Sequence, residues 1–167
     1  MRKLVFHPER CTGCRACELA CSFFNDGVFS PTRSRIRVVR IDEEGVDVPV
    51  GCLQCDSAPC MLVCPSPLAM YRDEGTGAVM INVDACIGCR SCMLICPFGA
   101  INHDPEKGFC YKCDLCGGDP ECVKWCFTKA IEYVEDEDLR RAKRSEVAEG
   151  AAKVMLEAAR LVKPGRG

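Results

Sequence analysis

The chain has 167 residues, a formal net charge of -2 and 17 cysteines; cysteine at that density signals disulfide or metal crosslinking rather than an ordinary core. No stretch approaches the roughly eighteen consecutive apolar residues of a membrane-spanning helix, and the charge balance excludes a strongly basic grip on nucleic acid. The opening residues Met1 to Pro8 lack an apolar run of signal-sequence length, so a cytoplasmic, reducing setting is expected, where cysteines hold metal rather than disulfides.

In chain order, the first feature is the group Cys11, Cys14, Cys17 and Cys21, spaced C-x2-C-x2-C-x3-C. Residues 35–41 and 46–50 then read as two strands turning at Glu43, Glu44 and Gly45. A second group, Cys52, Cys55, Cys60 and Cys64, has four residues before its third cysteine. Short helices are expected to follow the third cysteine of each group; in this one residues 61–63 form it and Pro65 stops it. The turn-rich run Asp73 to Gly77 precedes a strand over 78–83. The third group, Cys86, Cys89, Cys92 and Cys96, repeats the first spacing, with a helix over 90–95 stopped by Pro97. The fourth, Cys113, Cys116, Cys122 and Cys126, has five residues before its third cysteine.

Beyond Tyr133 the character changes. Val147, Ala151, Val154, Met155, Ala158, Leu161 and Val162 recur at helical spacing. Gly150 weakens that helix by about 1 kcal/mol relative to alanine, and Lys163, Pro164 and Gly165 end it before a frayed tail. Such a helix either packs on its own domain or docks on a partner subunit.

The repeated triplets point to cubane [4Fe-4S] clusters. Three cysteines two residues apart wrap three corners of one cube, and in the bacterial run C-x2-C-x2-C-x3-C-P the fourth cysteine ligates the neighbouring cluster. Sequence proximity pairs groups two and three, which leaves groups one and four for each other. The four expected sets are Cys11, Cys14, Cys17 and Cys126; Cys52, Cys55, Cys60 and Cys96; Cys86, Cys89, Cys92 and Cys64; and Cys113, Cys116, Cys122 and Cys21. A sequential pairing, group one with two and three with four, is the competing topology.

Gly13 and Gly88 let backbone N–H groups approach the inorganic sulfides, and Val63, Ile87, Met93, Ile95, Phe98, Trp125 and Phe127 are candidates to line the clusters or simply to fill the core. Zinc is the weaker reading, since structural zinc takes four ligands from two separated pairs. A disulfide framework leaves an odd thiol and gives no reason for the triplets. Cys110 also makes a C-x2-C pair with Cys113, so it competes for membership of group four; the match of Lys112 to Cys116 to the family pattern named below makes it the expected non-ligand. His7 and His103 read as ordinary turn residues. Each loaded cluster adds a charge of about -2, so four bring about -8 and make the protein distinctly acidic.

These residues resemble the four-cluster iron-sulfur subunits of the dimethyl sulfoxide reductase, formate dehydrogenase and hydrogenase type. The resemblance covers about residues 2–134 and rests on Cys11-Thr12-Gly13-Cys14-Arg15-Ala16-Cys17, Ser34-Arg35-Ile36-Arg37-Val38, Cys52-Leu53-Gln54-Cys55 with Pro59-Cys60, Cys86-Ile87-Gly88-Cys89-Arg90-Ser91-Cys92, and Lys112-Cys113-Asp114-Leu115-Cys116. It departs from the pattern at Phe127, where proline usually follows the last cysteine.

The resemblance implies the crossed ligation above. It also implies an α+β fold of tandem, nested bacterial ferredoxin-like units: residues 1–134, with an inner unit over about 50–103 and an outer unit over about 1–30 and 104–134, plus a helical extension over 135–167. It implies a soluble subunit that does no catalysis alone, passing electrons between an external donor or acceptor such as ferredoxin and a molybdenum or tungsten pterin enzyme. Compact members look most like partners of tungsten enzymes of the aldehyde oxidoreductase family, including tungsten-type benzoyl-CoA reductase; the alternatives are a free polyferredoxin or a subunit of a hydrogenase or formate dehydrogenase.

Overall fold

The computed structural model describes residues 1–161, and the side chains of all of these except 146, 154 and 156–161. Its first strand, β1 (Arg2–Phe6), turns Leu4 into the core and pairs antiparallel with the last, β8 (Ile131–Glu135), in the register Arg2↔Glu135 to Phe6↔Ile131. The ladder continues past both ends: the His7 N–H donates to Ala130 O and the Asp136 N–H to Met1 O, each at 2.8 Å. The two ends of the cysteine-rich region are thereby clasped together.

Helix α1 (Ala16–Asp26) follows the first cysteine loop. No proline follows Cys21, so this helix runs on until Gly27, whose φ of 68° and N–H bond to Phe23 O at 2.9 Å make a left-handed cap. Strands β2 (Arg37–Ile41) and β3 (Val46–Val50) form the expected hairpin. Buried Glu18 ties α1 to it, its Oε1 accepting the Val38 N–H at 2.7 Å.

The middle of the chain repeats this pattern in miniature. Helix α2 (Pro59–Leu62) is followed by the hairpin β4 (Met70–Arg72) and β5 (Val79–Ile81). Its turn is held by Asp73 Oδ2, which accepts from the Thr76 N–H at 2.8 Å and the Thr76 hydroxyl at 2.6 Å. Helix α3 (Ser91–Ile95) precedes the hairpin β6 (Ile101–Asp104) and β7 (Phe109–Lys112). There Asp104 Oδ1 accepts from the N–H groups of Glu106 and Lys107. Helix α4 (Glu121–Lys124) leads back to β8.

Each helix starts one residue before the third cysteine of its group rather than after it, so that cysteine sits in the first turn. Helix α1 packs against α4 and α2 against α3. Two apolar clusters result: Leu4, Ile36, Val38, Leu115 and Ile131 on the side of α1 and α4, and Met70, Ile101 and Cys110 on the side of α2 and α3.

Helix α5 (Asp136–Leu161) leaves β8 without a break. Asp136 and Asp56 anchor its start through Lys3, at 3.3 and 2.8 Å, and Arg140 reaches both carboxylates. Further along, Val147 and Met155 are exposed, so these described side chains do not pack on the cysteine-rich domain. The expected stop at Lys163, Pro164 and Gly165 lies outside the described residues, as do the side chains of Val154, Ala158, Leu161 and Val162. No described helix is long and apolar enough to cross a membrane.

Candidate metal centre

In the first C-x-x-C pair of each group the residue before the second cysteine has a left-handed backbone. Gly13 (φ 68°), Gln54 (50°), Gly88 (66°) and Leu115 (60°) occupy equivalent places in the four groups. At Gly13 and Gly88 a side chain is excluded twice, by the positive φ and by space: an added Cβ would meet the Asp47 carboxylate or the Gly108 carbonyl oxygen. Gln54 and Leu115 hold the same turn although left-handed backbone costs an ordinary L-residue roughly 1–2 kcal/mol. Both are essentially buried, so packing and hydrogen bonds hold them there. Backbone turned this way aims successive N–H groups into a concavity, the arrangement found around anions and iron-sulfur sites.

Four cavities are lined by cysteine. The first is walled by Cys11, Cys14, Cys17 and Cys126. A second has Cys52, Cys55, Cys60 and Cys96. Cys64, Cys86, Cys89 and Cys92 line the third, joined by Cys110. The fourth has Cys21, Cys113, Cys116 and Cys122, with Cys52 at its wall. Every triplet thus meets a fourth cysteine that comes from the packed partner helix or the residues just after it.

Backbone N–H groups already point at several sulfurs: Ala130 to Cys126 Sγ at 3.2 Å, Arg35 to Cys21 Sγ at 3.3 Å, Leu115 to Cys113 Sγ at 3.4 Å and Cys110 to Cys86 Sγ at 3.5 Å.

Burial pushes the thiols of Cys17, Cys92 and Cys113 up to about 12 and that of Cys116 to about 11. Cys122 is also driven upward, by burial first and then by Cys113, Cys21, Cys116 and Cys17 around it. Exposed Cys89 moves the other way, because the Ser91 backbone N–H and hydroxyl stabilise its thiolate. Four thiolates crowded in one cavity repel one another unless a polycation joins them. Iron in a [4Fe-4S] core meets that need, with cysteine thiolates as its usual ligands. The donor set, the repeated turns and the aimed N–H groups all fit such a cluster in each cavity.

Other expectations fare differently. Ile87, Phe98 and Trp125 line cavities, but as exposed rims and not as core. Val63, Ile95 and Phe127 are exposed and absent from the four linings. His103 lies in β6 opposite Cys110 rather than in a turn. Cys110 lines a different cavity from Cys113. Sequence reasoning passed over Gln54 and Leu115, because a left-handed turn has a visible signature only where glycine makes it.

The chain is 44% identical over 124 residues to the polyferredoxin-like subunit of an aliphatic sulfonate oxidoreductase from Pyrococcus furiosus, covering 74% of this chain and 70% of that protein. It is 38% identical to a probable anaerobic dimethyl sulfoxide reductase chain, YnfG, of Escherichia coli, over 80% and 73% of the two lengths. Among solved structures, the active site complex BamBC of benzoyl coenzyme A reductase contains a similar chain, with a TM-score of 0.48, 25% identity and coverage of 96% and 98%. A 4Fe-4S binding domain matches residues 4–23 and a 4Fe-4S dicluster domain matches residues 44–136. With more than half its length in that second match and its cysteines gathered around four cavities, the chain belongs to the 4Fe-4S dicluster family.

Proposed function

We propose that this chain is the electron-transfer subunit of an oxidoreductase complex, holding four [4Fe-4S] clusters on the ligand sets Cys11, Cys14, Cys17 and Cys126; Cys113, Cys116, Cys122 and Cys21; Cys52, Cys55, Cys60 and Cys96; and Cys86, Cys89, Cys92 and Cys64. The observation that carries this reading is the fourfold repeat of one cavity: a triplet on a left-handed C-x-x-C turn, completed by a cysteine from the partner helix. Clusters so bound supply one-electron redox chemistry at potentials set by charge, hydrogen bonds and exposure.

The chain's own residues do the positioning. Cys17 and Cys21, four residues apart on α1, line different cavities, and so do Cys60 with Cys64 and Cys92 with Cys96. Cys52 lies at the wall between its own cavity and that of Cys113. This adjacency supports a row whose outer members are the sets containing exposed Cys14 and exposed Cys89. Electrons then enter at one end and leave at the other, between an external carrier such as ferredoxin and a molybdenum or tungsten pterin catalytic subunit. The tungsten aldehyde oxidoreductase type is the favoured partner class. An inner unit over about 50–103 nests inside an outer one built from both ends of residues 1–134. Seventeen cysteines without a disulfide suit the reducing cytoplasm.

Anaerobic purification from the native host, with iron, acid-labile sulfide and heavy-metal analysis of whatever accompanies the chain, tests this. About sixteen iron atoms per chain and a partner containing molybdenum or tungsten are expected. Fewer than about twelve, or zinc at any triplet, sinks the four-cluster reading; full iron with no such partner leaves the free polyferredoxin.

A further inference from the structure

Strand β7 ends in a lysine withdrawn from water. Lys112 is 4% exposed, and its ammonium donates to three carbonyl oxygens: Gln54 Oε1 at 3.4 Å, Cys113 O at 3.1 Å and Val79 O. Among the described residues no carboxylate lies within ion-pair distance of its Nζ. An ammonium taken out of water loses hydration that carbonyl dipoles replace only in part, so buried charges are found paired. The site calls for an anion.

The position of the lysine says where that anion is. Lys112 lines the cavity of Cys52, Cys55, Cys60 and Cys96, and no aspartate or glutamate lines it. Gln54 fixes the lysine in place: its Oε1 also accepts the Val79 N–H at 2.8 Å, and its Nε2 donates to Cys113 O at 2.9 Å.

We infer that Lys112 is the built-in counter-cation of the cluster on Cys52, Cys55, Cys60 and Cys96, and that it holds that cluster's reduction potential above the value the four cysteines alone would give. The inference rests on the ligand sets proposed above. Its sign follows from charge: a cluster with four thiolates carries about -2 and gains a further negative charge on reduction, so a cation at the cavity wall favours the reduced form. Burial keeps this attraction strong and nearly independent of salt. Lys112 is therefore a positioning residue for electrons, making one interior member of the row a more comfortable resting place.

Potentiometric titration of the intact anaerobic protein, followed by electron paramagnetic resonance with iron and sulfide analysis, tests this. Cys55→Ser identifies the signal belonging to that cluster. Lys112→Met should keep all the iron and lower that midpoint by about a tenfold change in the one-electron reduction constant, ~59 mV, while the two outermost midpoints stay put. Lys112→Arg should restore it. Gln54→Glu, which puts a carboxylate beside the ammonium, should lower the same midpoint and carries the test if Lys112→Met loses iron. An unchanged or raised midpoint with iron retained, an equal shift of all four, or loss of iron in both variants overturns the inference. A signal that ignores Cys55→Ser, or a wild-type chain short of iron, instead overturns the ligand assignment beneath it.

Discussion

Cys110 brings a fifth sulfur to a cavity that needs four, and we propose that it is not a ligand. Residues 110 and 112 of β7 share a face, so Cys110 and Lys112 both turn inward and are nearly inaccessible. The Cys110 N–H already serves Cys86 Sγ, a role its side chain does not share. Cys110→Ala is expected to retain the full iron content, whereas Cys113→Ala should lose about a quarter of it, as measured by anaerobic iron analysis. At this scale the sequence spoke clearly wherever chemistry demands one residue type: the four cysteine groups stood out by spacing, although spacing alone left Cys110 in competition with Cys113. Gln54, Leu115 and Lys112 lie within the motifs that carry the resemblance, but their backbone conformation or burial follows from packing that no local pattern records.

Hairpins and helices were legible to the extent that their signals are local. The Glu43 to Gly45 turn announced β2 and β3, and Pro65 and Pro97 marked the ends of α2 and α3. The clasp of β1 with β8 was not legible, because the partners of its ladder, such as Arg2 and Glu135, are separated by nearly the whole domain and carry no turn between them. The energy of that clasp lies in its apolar side. Leu4→Ala, at a site 4% exposed, should cost roughly 2–5 kcal/mol, read as a fall in anaerobic thermal midpoint. Glu135→Ala breaks only exposed pairs with Met1 and Arg2 and should cost less than about 1 kcal/mol. Helix α5 was expected, and it begins at Asp136. Deleting residues 145–167 should leave iron content and visible absorption unchanged, since no cysteine lies there; loss of co-purifying partner in that variant assigns docking to the helix.

Over the whole molecule, the four cavities replace much of what an ordinary core would supply. Several of their walls are thiols, and Trp125, which lines one of them, is exposed. Stripping the iron with a chelator under anaerobic conditions is therefore expected to abolish the cooperative thermal transition and most far-ultraviolet ellipticity, because metal binding in such domains is folding energy. Retention of both would mean that the apolar clusters suffice by themselves. The formal -2 of the polypeptide together with about -8 from the clusters should also make the loaded protein bind an anion exchanger much more tightly than the stripped one.

The clasp sets a timetable for manufacture. Cys126 closes the cavity opened by Cys11, Cys14 and Cys17, so a ribosome must read on to residue 126 before the earliest-begun site has all its walls. The middle pair of cavities needs nothing beyond Cys96 among its proposed ligands, so its ligand set is complete while residues 97–167 are still to be read. Iron delivery should run from the centre outward, and a chain released early, short of residue 113, should emerge with about half its metal.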